Sequence, residues 1–179
     1  MRSPPSSAQA GHAAEAASLT LFGTVWLGLW YTQTHAGGPL GWLVIAVEAA
    51  LLLGFAGRKY GRHRLAPGDE AARAEGRRAR RARLLVNVAQ WVLIVAAIEV
   101  LARSGHAEWV APVVIGLVGL RFFATAASLS RQPHFLTGGA LLTLAAVYPV
   151  LAAGGPADPV GLFGAGVVLW ASAALAIAN

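Results

Sequence analysis

LGWLVIAVEAALLLGFAGRKYGRHR, residues 40–64, decides the fold. From Leu40 to Gly57 the chain carries one ionisable residue, Glu48, and directly afterwards come Arg58, Lys59, Arg62 and Arg64. An apolar stretch of this kind is what a helix needs to cross a hydrocarbon core about 30 Å thick. A basic cluster at one end of such a stretch marks the side of the membrane on which that end stays.

Working outward, the same pattern recurs on both sides. Spans are expected at about 14–33, 40–55, 84–102, 109–129, 135–153 and 160–178, after a flexible amino-terminal tail over 1–13 that holds Pro4, Pro5, Ser6 and Ser7. The expected fold class is therefore an all-α, polytopic transmembrane helix bundle of six spans forming a single membrane domain over 14–179. Turns are signalled by Gly37, Gly38 and Pro39, by Ser104 and Gly105, by Pro133, and by the run from Gly154 to Pro159. An odd number of spans in each half allows two inverted three-helix halves.

The balance of the whole chain agrees with a bilayer as solvent: 56% of residues are hydrophobic and 12% charged, and mean hydropathy is +0.59. Net charge is +6, but it is concentrated between spans two and three. Residues 58–83 hold ten Lys or Arg against three acids, Asp69, Glu70 and Glu75. With that loop in the cytoplasm, both termini lie inside, and twelve of the fourteen Lys and Arg fall inside, with Arg103 outside and Arg121 within the bilayer. Lys59 is the sole Lys, and this Arg-over-Lys bias with abundant Ala and Gly resembles a GC-rich bacterial genome. The expected location is thus a bacterial cytoplasmic membrane.

Several function classes are excluded by what the chain lacks. With no Cys there is no disulfide, thiolate metal site or cysteine nucleophile. His12, His35, His63, His106 and His134 read as tail and turn residues, which leaves no intramembrane pair to ligate haem. Hydrolase, zinc-protease and P-loop motifs are missing, and no Lys stands within a span to carry retinal. No cofactor and no metal site are expected. Nucleic acid is not an expected partner either, since Tyr60 is the one aromatic beside the basic run.

The informative residues are ionisable groups inside spans. Glu48, Glu99 and Arg121 would each cost about 2.5–3.5 kcal/mol to bury in hydrocarbon, so each is expected to have a partner. A rise of about 1.5 Å per residue brings Arg121, Glu48 and Gln90 to similar depth and puts Glu99 nearer the outer surface, level with Tyr148. The expectation is that Arg121 faces the bundle interior and pairs with Glu48 or Glu99, with Gln90 and Asn87 supplying further polar contacts. Such a group is either a static pair that fixes register or a polar site for a substrate or a proton relay. Arg77, Arg78, Arg80, Arg81 and Arg83 abut span three and are candidates for anionic lipid headgroups, or are simply a topology signal.

The segment Ile115-Gly116-Leu117-Val118-Gly119-Leu120-Arg121-Phe122-Phe123, followed by Pro133, Phe135, Thr137 and Gly138, resembles a pattern in small uncharacterised bacterial six-helix integral membrane proteins. There a span ending in a Gly-Leu-His-Phe-like sequence precedes a Pro and a Thr-Gly that open the next span; here Arg121 stands where that pattern has His. The resemblance implies the fold and no activity.

Three function classes follow from these residues. The first is a non-enzymatic membrane protein with a polar interior, either a carrier or channel for a small solute or a lipid-interacting accessory subunit. The second is a membrane-embedded enzyme acting on a lipid or isoprenoid, with Glu48 or Glu99 as general base and Arg121 holding a phosphate. The third is a structural subunit of a larger membrane complex. Membrane lipids are the expected partners in all three, and a homo-oligomer is compatible with each.

Overall fold

The structure is a computed structural model that describes residues 6–34, 38–63, 70–129 and 132–178. Among them lie six α-helices: α1 (Ser6–Thr34), α2 (Pro39–His63), α3 (Glu70–Arg103), α4 (Val110–Leu129), α5 (Gln132–Leu151) and α6 (Val160–Ala178). Short 3-10 turns at Ala107–Trp109 and Gly155–Ala157 lead into α4 and α6. No strand occurs among the described residues, so the all-α expectation holds.

Each helix boundary has a local cause. Pro39 opens α2, where its missing N–H costs nothing. Asp158 closes the turn before α6: its Oδ1 accepts the Val160 N–H at 2.9 Å and its Oδ2 accepts the Gly154 N–H at 3.0 Å. Gly155, at φ +63°, supplies the left-handed residue that this turn requires.

One expectation changes here. The tail expected over 1–13 is helical from Ser6, because an Ala-rich sequence favours helix and Ala13 and Ala16 are buried against the bundle. Only residues 1–5 of that tail lie outside the described residues. The third helix begins at Glu70, well before its apolar part at 84–102, as the break at Pro67 and Gly68 and the helical spacing of Asp69 and Arg73 in the sequence imply.

By length and apolarity, three described helices qualify as membrane spans: Pro39–Gly61, His134–Leu151 and Val160–Ala178, with mean hydropathies of 2.0, 1.5 and 2.1. Large apolar side chains nevertheless point outward from every helix, among them Leu21, Leu40, Val92, Leu120, Leu136 and Val167. In water such continuous exposure would be costly, at roughly 25 cal/mol per Å².

Helix α1 is the hub of one sub-bundle, packing antiparallel on α6 and against α2, while α4 and α5 form a hairpin that joins it through α5 and α6. The core between them is built on Leu19, Ile115, Leu141, Tyr148, Ala165 and Leu169. Close approach needs glycine at two crossings. A Cβ on Gly166 would sit 3.1 Å from the carbonyl oxygen of Gly23, and one on Gly138 would sit 2.9 Å from that of Gly119. Helix α3 stands apart, packing mainly on α4.

These contacts bring the start of α1, the end of α2, the start of α5 and the end of α6 to one end of the molecule. Lys59 marks that end, its Nζ donating to the Ile177 carbonyl at 2.9 Å and so satisfying an otherwise unpaired carbonyl of the last turn of α6.

Candidate functional site

At that same end two ionisable side chains meet inside the bundle. Helix α5 starts at Gln132, and Pro133 in its first turn fits the fixed φ of a helix start. His134 follows, 5% exposed, held between α1 and α4. Its Nε2 lies 3.2 Å from Glu15 Oε1, and its ring lies 5.9 Å from that of Phe122. Glu15 is placed by the early turns of α1, where Ala13 and Ala16 allow the helix to press close.

One turn along α5, Thr137 Oγ1 is 2.8 Å from Ser172 Oγ of α6, and Ser172 also donates to the Val168 carbonyl at 2.8 Å. Glu15, His134, Thr137 and Ser172 share the wall of a cleft of about 420 Å³, whose remaining wall is largely apolar and includes Leu19 and Val168. Leu136 and Leu175 stand at its rim, both exposed. The cleft therefore joins an imidazole–carboxylate pair and two hydroxyls to an apolar surface. An imidazole in contact with a carboxylate can accept, hold and return a proton, and the hydroxyls supply neutral hydrogen bonds. Among the described residues no group of three or more His, Cys, Asp or Glu is assembled, so this donor set makes no metal site.

His134 had read as a turn residue, and that reading is corrected: it opens α5 and is buried. In the sequence His12 reads as a tail residue and Glu15 does not stand out, because both precede the strongly apolar part of α1. A signal was present. Alternation of spans places the starts of α1 and α5 on the same side, so Glu15 and His134 were available to each other.

The residues singled out by depth are largely dispersed. Arg121 is half-buried and donates from Nη1 to Gln90 Oε1 at 2.8 Å, which ties α4 to α3. Glu99 is not its partner: Glu99 Oε2 accepts from Arg103 Nε at 2.9 Å on an exposed face, a pair four residues apart worth about 0.3–0.5 kcal/mol. Glu48 is not its partner either. It is exposed on α2, which packs on α1 and α6, and among the described residues no ion pair reaches it. Asn87 is exposed, with no hydrogen bond to Arg121. Tyr148 is buried and turned to the opposite end, its hydroxyl donating to the Pro156 carbonyl at 3.1 Å and its ring lying against Gly161. Depth fixes a level in the bundle, whereas pairing needs facing surfaces: α2 and α4 do not face each other, and Glu99 and Asn87 are exposed on α3 rather than turned into its seam with α4. Arg77, Arg78, Arg80, Arg81 and Arg83 lie on α3, and their side chains are outside the described residues.

Comparison with family models, with curated proteins and with solved structures finds no match for the chain.

Proposed function

We propose that the chain is a multi-pass protein of a bacterial cytoplasmic membrane, six-spanning with both termini inside, which carries a small polar solute in a proton-linked manner through the Glu15–His134 cleft. The observation that supports this best is a nearly buried imidazole in contact with a carboxylate and open to a cleft. Intramembrane ionisable groups are expensive, and a pair that also borders open space suits exchange with a ligand better than static register fixing. Because Glu15 contributes negative charge, the solutes that suit the cleft are neutral or cationic ones with hydrogen-bonding groups. Six spans are supported by outward apolar side chains on all six helices and by the distribution of Lys and Arg.

The enzyme reading loses its residues, since Glu48 and Glu99 lie away from Arg121. The reading as a structural or lipid-interacting subunit is favoured by one observation, the sparse packing of α3.

The test is reconstitution of the full chain in liposomes with an entrapped pH-sensitive dye, challenged with amines, neutral amino acids and sugars. Wild-type protein is expected to move protons with at least one solute class, and Glu15→Gln and His134→Gln to lose most of that flux while remaining helical and monodisperse. Flux equal to that of empty liposomes for every solute, or flux unchanged in both variants, overturns the reading.

A further inference from the structure

Among the described residues no carboxylate pairs with Arg121, whose one side-chain partner there is the neutral amide of Gln90. The chain has eight acids. Glu15 is with His134, Glu99 with Arg103, Glu108 with His106, and Asp158 is held by backbone N–H groups. Glu48 is on the far side of the bundle. Of the remaining acids, Asp69 lies outside the described residues, and Glu70 and Glu75 stand far down α3, Glu75 being fifteen residues from Gln90, about 22 Å of helix. The guanidinium has five N–H donors, and one hydrogen bond to a neutral amide leaves its charge unanswered.

The surroundings of Arg121 form a wedge. Along one face of α3, Ile94 is buried, Gln90 half-buried and Asn87 exposed, so α3 and α4 separate progressively towards the basic end. Arg121 lies eight residues from the end of α4, about 12 Å, which is within reach of a headgroup drawn slightly into the seam. Thr125, one turn nearer that end, is occupied by its own helix, its hydroxyl donating to the Arg121 carbonyl at 2.9 Å, so it leaves the guanidinium free.

We infer that the wedge between α3 and α4 binds a phosphate group, with Arg121 as its charge partner and the amides of Gln90 and Asn87 as neutral donors. The phosphate is that of an anionic phospholipid of the inner leaflet or a free phosphate ion. Guanidinium and phosphate match in charge and geometry, and the low dielectric strengthens the pairing. This site is separate from the Glu15–His134 cleft and does not depend on the function proposed for it.

The experiment is thermal unfolding of the full chain in a neutral detergent, titrated with dioctanoyl phosphatidylglycerol, dioctanoyl phosphatidylcholine, sodium phosphate, or sodium chloride at matched ionic strength. Wild-type protein is expected to gain stability with phosphatidylglycerol and not with phosphatidylcholine or chloride. Arg121→Gln is expected to weaken the apparent affinity about tenfold or more, the size of one charge-assisted hydrogen bond, and Arg121→Lys to restore part of it. Phosphate acting as strongly as phosphatidylglycerol supports the site and assigns it to the free ion. If Arg121→Gln fails to fold, Gln90→Leu replaces it, keeping the charge and reducing affinity by a smaller factor. No stabilisation of wild type by either phosphate source overturns the inference. So does an effect that survives in Arg121→Gln but disappears in Arg78→Gln/Arg81→Gln, which would assign it to the loop.

Discussion

Two neighbouring glycines on α5 should behave oppositely when enlarged. A Cβ on Gly138 would lie 2.9 Å from the Gly119 carbonyl oxygen and 2.9 Å from Phe123 Cδ2, whereas a Cβ on Gly139 would meet nothing within 4 Å. Ordinary contact begins near 3.4 Å, so Gly138→Val forces α5 away from α4 by at least 0.5 Å at a point where the obstacle is backbone and cannot rotate aside. Overpacking of this kind costs about 1–3 kcal/mol, against a few tenths regained from the better helix propensity of Val. For a chain of this size each kcal/mol shifts Tm by roughly 2–4 °C, so Gly138→Val should lower Tm by about 2–10 °C. Gly139→Val should leave it within about 1 °C. Thermal unfolding of detergent-solubilised protein, followed by circular dichroism, measures both. Equal Tm values for the two variants would refute the claim that α4 and α5 touch at Gly119 and Gly138.

Other consequences are equally direct. Glu15→Gln and His134→Ala should each destabilise by about 1–3 kcal/mol by stranding a partner, and the double variant should cost less than their sum, which a double-mutant cycle in denaturant would show. Backbone N–H groups of Val160 and then Gly154 hold the Asp158 carboxyl below its ordinary range. Its folded value is thus the lower one, so its stabilisation is complete above the unfolded value near about 4 and drains away as pH falls below it. Unfolding measured from neutral to acid pH should show this loss in wild type and lack it in Asp158→Asn. Because the chain has no Cys, single substitutions report topology directly: an impermeant maleimide added to intact cells should label Ser104→Cys and Ala157→Cys but not Gly61→Cys. Labelling of Gly61→Cys from outside would reverse the proposed orientation.

Helix type and order were readable because hydropathy reports solvent, and the apolar runs at 109–129 and 160–178 coincide within a residue or two with α4 and α6. The run at 14–33 understated α1, since a helix continues beyond the hydrocarbon wherever its sequence permits, as Ala8 to Ala17 does, whereas the early start of α3 was legible in the break at Pro67 and Gly68 that precedes it. The pairings were less legible. Glu99 and Arg103 stand four apart, a spacing that favours their surface pair over any partner on another helix. Arg121 and Gln90 were named together from depth, and they do meet, because α3 and α4 are consecutive and antiparallel. Glu15 with His134 required knowing that α1, α4 and α5 converge at one end, which no local pattern in the chain expresses.

The first helix of this protein finds its most extensive partner in α6, which the ribosome makes after every other helix described here. Until α6 emerges, the surface of α1 around Thr20 and Gly23 lacks its partner, and the backbone oxygen of Thr20 that will accept the Trp170 indole at 3.2 Å stays within its own helix. Assembly therefore cannot proceed strictly from front to back. Helix α6 must be made before α1 is seated, so deleting α6 should unsettle α1 more than the helices in between.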